Sequence, residues 1–487
     1  MRMMRTLLLI LTTLFSWPLF AAGHDLRASP RPFYPVAGPV VTGNGSGFTA
    51  AWIEPTGSQD RIVAQTVAAS GEPIDGARNT IDQGFVEMMA IAHSASDTLV
   101  AWVAGGNVFA ERLSPSGLPL SLFLLTPGQD RRLSGLAVTW DGSRYFVVWA
   151  NQSQLLGVFI SPDGSWTSPR PFFTEPSQPV PRHFAPGVPE VAWNGRHFVV
   201  VFGEIPDDPC FSLCPSPTAT QFRVMRVSAG GDAVDSSPPF VGSRPIRAHL
   251  ATSGAESLIV CDNFRTDGSF DVSTTIVRDD GSLKLDRETT LFHWYSEVAS
   301  AVAWDGSKYI VGWRYEFATA WMATANVTRS GMPFDYRVTT TRRSLPSAFG
   351  VPWGPSIAVN DAGVAAFVIS ERDPSQVRLY LASEFAPMPP PPAAPRNIVS
   401  FFGSTKAVRI DWEDVETPAG FLLEWSSFPG AGESWFLYAF LPGDARTFTA
   451  SAFIGNQFRI RAFGPAGVSE GPITRVVMPR QHAQRTR

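Results

Sequence analysis

An all-β fold is predicted for this chain, and three observations carry the prediction. A hairpin phrase recurs: residues 136–149 read LAVTWDGSRYFVVW, residues 191–202 VAWNGRHFVVVF and residues 301–313 AVAWDGSKYIVGW. Each is two short apolar strands about an Asp-Gly or Asn-Gly turn, the dipeptide that supplies positive φ to a tight hairpin. The residue closing the second strand aligns at Trp52, Trp102, Trp149, Phe202, Cys261, Trp313 and Phe367, seven units about 52 residues apart. Composition agrees, with 15 Trp, 35 Phe, 41 Gly and 42 Pro against 17% charged residues, a mixture that favours strands and turns over helices. Together these predict a seven-bladed β-propeller, followed by a β-sandwich beyond a proline-rich break.

In chain order, Arg2 and Arg5 precede an apolar run from Leu7 to Phe20, then Ala21, Ala22 and Gly23. This is the pattern of a signal peptide over residues 1–23, so the expected location is secreted, extracellular or periplasmic. No cysteine follows the apolar run to take a lipid anchor, and no later segment has the roughly 20 apolar residues of a membrane span. The net charge of −4 over 487 residues gives no bulk attraction to nucleic acid or to an anionic membrane. Neither is an expected partner.

Residues 24–384 hold the repeats. Six units add a third strand ending in a second turn, at Gly71, Gly117, Gly164, Gly231, Gly281 and Gly331, and a weaker fourth strand follows each. Four antiparallel strands make one blade, and radial closure protects their edges. The seventh unit runs from its third strand, near Val377 to Ala382, into prolines and lacks a fourth. The stretch from Asp25 to Phe33, ahead of the first unit, is the expected filler that closes the ring.

Residues 385–395 carry six prolines, a stiff linker because proline fixes φ and removes donors. Beyond it, residues 407–412 (AVRIDW), 420–425 (GFLLEW) and 456–469 (NQFRIRAFGPAGVS) set a Trp on an early strand and an alternating late strand before a Gly-x-Ser turn. Over residues 396–479 this resembles a fibronectin type III domain. Asn456 stands where that family usually has the tyrosine of its corner motif. The resemblance implies a spacer or interaction module. Residues 480–487 form a basic tail with no apolar pattern.

Cysteine usage excludes a disulfide scaffold, since only Cys210, Cys214 and Cys261 are present. Cys210 and Cys214, with three residues between them in a proline-rich loop, are the candidate disulfide. Cys261 falls on a repeat strand and reads as a buried thiol. No cofactor and no metal are expected: zinc would need two more ligands at the usual spacing, and no segment offers the alternating ligands of a calcium loop.

Blade geometry puts the short glycine turns at one end of the ring and the long loops, residues 172–190, 203–220, 263–271, 287–298 and 339–355, at the other. Long loops on a rigid scaffold are where binding sites gather. Those loops and their margins carry the candidate ligand residues Arg265, His293, Trp294, Arg314, Tyr315, Glu316, Arg342 and Trp353. Guanidinium groups pair with carboxylates and aromatic rings stack on sugar faces, so a protein or carbohydrate ligand is expected. Solvated loop charges account for the same residues without one. Tyr315 and Glu316 beside arginines also resemble the tyrosine-nucleophile arrangement of sialidases, which implies a carbohydrate-active enzyme as the competing function. Residues 161–166 (SPDGSW) lack the Ser-x-Asp-x-Gly-x-x-Trp spacing of that family's turn and read as one more hairpin. No catalytic residue is assigned, and the leading expectation is an exported binding or adhesion protein.

Overall fold

The structure is a computed structural model that describes residues 23–475 except 30–37, 56–59, 127–132, 134, 152–153, 175–181, 185–188, 207–220, 242–244, 265–269, 295–296, 317–319, 342–353, 372–374, 389–391, 403–406, 414–417, 419, 427–435, 452–456, 465–466, 470 and 472. It is an all-β, propeller-like fold. The first sheet runs Val40–Gly43, Phe48–Pro55, Asp60–Val67, Pro73–Gly84, and the second Val86–His93, Thr98–Ala104, Asn107–Leu113, Pro119–Leu124. The third runs Gly135–Trp140, Tyr145–Ala150, Gln154–Ile160, Arg170–Thr174. The fourth, Glu190–Trp193, His197–Pro206, Gln221–Ser228, Phe240–Val241, takes an extra pairing from Arg182–Phe184. The fifth is Pro245–Thr252, Glu256–Phe264, Phe270–Arg278, Leu283–Trp294, and the sixth Glu297–Trp304, Tyr309–Glu316, Ala320–Val327, Pro333–Thr341.

The seventh sheet, Ser356–Val359, Ala365–Glu371, Ser375–Leu381, takes its fourth strand from the other end of the chain. His24–Ser29 pairs antiparallel with Ser375–Leu381, His24 opposite Leu379 and Ser29 opposite Ser375. The first strands of consecutive sheets lie side by side, and Ser356–Val359 returns to lie beside Val40–Gly43. There Val41 N–H donates to Ser356 Oγ at 3.0 Å and Asp361 N–H to Gly45 O at 2.9 Å.

The repeat is a packing repeat. Trp52, Trp102, Trp149, Phe202, Cys261, Trp313 and Phe367 are all buried on second strands, between one sheet and the next. Burying one ring of this size contributes on the order of 3 kcal/mol, and Cys261 fills the same position with a small apolar group. Glycines at the hairpins do what the sequence requires of them: Gly142, Gly195 and Gly306 have φ of 95, 90 and 96°.

The six turns between third and fourth strands share a second device. Each is met by a side chain from the preceding sheet. Asn79 lies against Gly117 and Arg112 against Gly164. Arg170 donates to Gly230 O, Arg226 Nη1 to Asp279 O at 2.8 Å, and Lys284 Nζ to Ser330 O at 3.4 Å. Gly71, in the first sheet, is met by His24.

The proline-rich segment opens as structure. Ala386–Pro387 adds a short fifth strand to the sixth sheet opposite Val338 and Arg337, and Met388 N–H donates to Tyr336 O at 2.9 Å. Beyond it a three-stranded sheet, Arg396–Phe402, Ala407–Glu413, Thr447–Ser451, faces a five-stranded one, Phe436–Pro442, Gly420–Ser426, Gln457–Gly464, Gly467–Val468 and Ile473–Arg475. They share one core that includes Val408, Ile410, Trp412, Phe421, Leu423, Phe458 and Ile460. Among the described residues, no helix is long and apolar enough to cross a membrane. Residues 1–22, the pair Cys210 and Cys214, Asn456 and residues 480–487 lie outside the described residues.

Candidate ligand surface at the loop end of the sheets

The turns between first and second strands and between third and fourth strands leave from one end of the sheets, so second strands end, and third strands begin, at the other, where the second sheet has its tight Gly105-Gly106 turn. The residues between each repeat position and the end of its strand are therefore the bases of the loops, and they include five ionic side chains, Glu54, Glu204, Asp262, Arg314 and Glu371. All five are largely or fully removed from water. A buried charge is costly unless paired, and pairing is what the structure supplies. Glu54 accepts from Trp52 Nε1 at 3.0 Å and pairs with Arg78. Arg223 Nε lies 3.2 Å from Glu204 Oε1, with its guanidinium 4.0 Å over the Phe240 ring. Burial pushes the Arg247 guanidinium down, and the charge of Asp262 opposes that shift.

Arg314 Nη1 donates to Ser370 O at 3.3 Å across the gap between sixth and seventh sheets. Beside it, the Tyr380 hydroxyl donates to Glu371 Oε1 at 2.5 Å and Arg378 Nε lies 3.5 Å from Glu371 Oε2. Burial first, then the Glu371 charge, drives the Tyr380 hydroxyl well above the ordinary tyrosine range.

A different pair lies on the central strands. His249, on the first strand of the fifth sheet, has Nδ1 3.2 Å from Glu190 Oε1, on the first strand of the fourth, and both side chains are part-exposed. A carboxylate on Nδ1 holds the neutral ring as the Nδ1–H tautomer, which leaves the basic lone pair on Nε2.

Of the residues expected to contact a ligand, Arg314 is 1% exposed and turned into the joint between sheets. Tyr315 and Glu316 continue its strand, opposite Trp321 and Ala320. His293 and Trp294 end the outer strand of the fifth sheet, opposite Asp271 and Phe270. Arg265, Arg342 and Trp353 lie outside the described residues. Sequence reasoning missed Glu190, Arg247, His249 and Asp262 because each stands inside a strand that reads as core. The one signal was a titratable residue in an apolar run.

No protein-family model matches this chain, and no curated protein does. Among solved structures it is similar to a lectin from Burkholderia pseudomallei, at 11% identity over 72% of this chain and 97% of the other, with a TM-score of 0.48. It is also similar to a prolyl endopeptidase, at 13% over 88% and 54% with a TM-score of 0.43. A third is the β-propeller domain of the Trilobed protease from Pyrococcus furiosus, at 9% over 72% and 95% with a TM-score of 0.40. Likeness at this level carries neither an activity nor a ligand to this chain.

Proposed function

We propose that the chain is an exported binding or adhesion protein: a signal peptide, a seven-bladed β-propeller over residues 24–384, and a fibronectin type III-like domain over residues 396–479. The reading rests on the two-ended construction of the sheets. Short hairpins close one end, while at the other the strand ends that lead into the loops carry buried ion pairs and hydrogen bonds. Strand ends held in this way lower part of the ordering cost of binding. The return of Ser356–Val359 to Val40–Gly43 supports seven blades. The Trp412 core between two sheets supports the fibronectin-like assignment.

The ligand is a protein or a carbohydrate, taken by the loop end through Arg265, Arg342, Trp353 and the ends of the strands that carry His293, Trp294, Tyr315 and Glu316. A glycan and protein array probed with the full-length chain, scoring retained ligand and released sugar together, tests this. Retention without release, weakened about tenfold by Arg342→Ala or Trp353→Ala as expected for anchor residues, is the predicted result. A second reading, an extracellular carbohydrate-active enzyme, is favoured by one observation, the His249 and Glu190 pair at the centre. Release of sugar abolished by Glu190→Gln or His249→Ala would replace the binding reading with that one.

A further inference from the structure

We propose that two copies of this chain associate through the outer edge of the second sheet, the strand Pro119–Leu124 pairing with its own copy. That strand is bonded to Asn107–Leu113 on one side, and among the described residues no strand pairs with its other side. An unpaired edge presents a row of N–H and C=O groups that templates a further strand, and proteins blunt it with charge, brevity or cover. The other outer strands are blunted in these ways. Arg78, Arg170, Lys284 and Asp25 stand on those of the first, third, fifth and seventh sheets. The fourth is two residues long, and the sixth is covered by Ala386–Pro387. The second sheet has none of these devices, and no charged residue occurs between Arg112 and Asp130.

Backbone and side chains both suit this edge to a second strand. Leu125 N–H donates inward, to Val108 O at 2.9 Å. Backbone groups alternate in direction along a strand, so Leu120, Leu122 and Leu124 turn their N–H and C=O groups outward. Their side chains share one face and, with that of Leu118, are 47% to 60% exposed, whereas Phe123 on the opposite face is buried. Among the described residues no other strand has more than one exposed large apolar side chain.

The occupant is a second copy because the strand is complementary to itself. About a two-fold axis at Leu122, antiparallel pairing sets Leu122 opposite its own copy and Leu120 opposite Leu124, and it joins outward N–H groups to outward C=O groups. The leucines then cover one another across the strands, and neither copy brings a charge that has to leave water. A six-residue strand makes a small interface, so the dimer is a reversible one. Antiparallel pairing also inverts one copy relative to the other, and the two loop ends point in opposite directions. The association does not depend on what those loops bind.

The test combines sedimentation of the full-length chain with amide hydrogen exchange. A monomer–dimer equilibrium is expected, with a dissociation constant on the order of 10 μM, the weak end for so small an interface. Raising the concentration from about 1 to about 100 μM should then slow exchange in residues 118–126 about fourfold by mass action. Association through any other surface leaves that segment unchanged. Leu122→Lys sets two ammonium groups against each other and should weaken the dimer about a hundredfold, tenfold from each copy. Its melting midpoint should hold, because the side chain it replaces faces water. Val399→Lys, at an exposed apolar residue of the C-terminal sheets, should dimerise as the wild type does. A wild type that stays monomeric throughout would overturn the proposal and leave the edge to a strand of another protein. A dimer that survives Leu122→Lys, or that forms without slowing exchange in residues 118–126, would overturn it as well. Where Leu122→Lys fails to fold, the wild-type exchange still decides it.

Discussion

At Asp97, in the hairpin of the second sheet, a buried carboxylate collects donors from three directions. Tyr145 of the third sheet donates to Oδ1 at 2.7 Å, Arg112 Nε to Oδ2 at 2.5 Å, and Ser94 Oγ closes the set. Burial pushes this carboxyl up, but the hydrogen bonds from Ser94, Tyr145 and Arg112 outweigh it and hold the carboxyl below its ordinary range. Asp97→Asn should lower unfolding stability by about 2 kcal/mol at pH 7, measured by denaturant titration. A depressed carboxyl stabilises the fold above its unfolded pKa, and that contribution disappears as pH falls through the folded value. The gap between wild type and variant should therefore shrink below about pH 4. A gap that persists into acid would assign the loss to packing instead of charge. Residues of this kind were not legible in the sequence. Asp97 and Tyr145 are 48 positions apart, and nothing local says that a serine-rich turn holds a buried ion.

The hairpins were legible because their chemistry is local. In the sixth sheet Asp305 Oδ1 accepts from Ser307 N and Lys308 N, each at 2.8 Å, and Gly306 takes φ of 96°. A Cβ on Gly306 meets no atom within 4 Å. Gly306→Ala thus isolates the backbone penalty, and the loss should be about 1 kcal/mol, read as a lowered unfolding midpoint. A neutral result would mean that the turn rearranges without cost. The same locality explains what the sequence reading reached, namely the strand pairs, the aromatic repeat, and the stretch that begins at Asp25 as the missing fourth strand. Ala386–Pro387 was read as linker because two residues carry no periodicity, and its pairing with the sixth sheet depends on where the seventh ends. For the loop end, turn spacing told which end of the sheets the long connections leave from. The ionic pairs at that end, such as Glu204 with Arg223, form across strands through register that a linear pattern does not display.

At the scale of the whole molecule, the C-terminal sheets are packed onto the sixth sheet. Strand alternation makes this possible. Phe421, Leu423 and Ala462 point into their own core, whereas Leu422 and Phe463 point out and join the cluster of Trp321, Ala323 and Val338. Trp321 and Phe463 meet edge to face, with ring centroids 6.2 Å apart and planes at 80°. Met388 and Tyr336 pack on the same cluster. Fully buried apolar groups shared in this way couple the two units, so they should unfold together instead of independently. Phe463→Ala removes a ring that is 0% exposed at the joint and costs about 3 kcal/mol or more of the coupling. Leu423 and its neighbours keep their own core intact. Calorimetry of the wild type should show one transition, and the variant should show two, the lower one belonging to the C-terminal sheets. If wild type and variant both melt in two well-separated steps, the joint contributes no coupling. The C-terminal sheets would then be a tethered module, free to present a second contact surface independently of the ring.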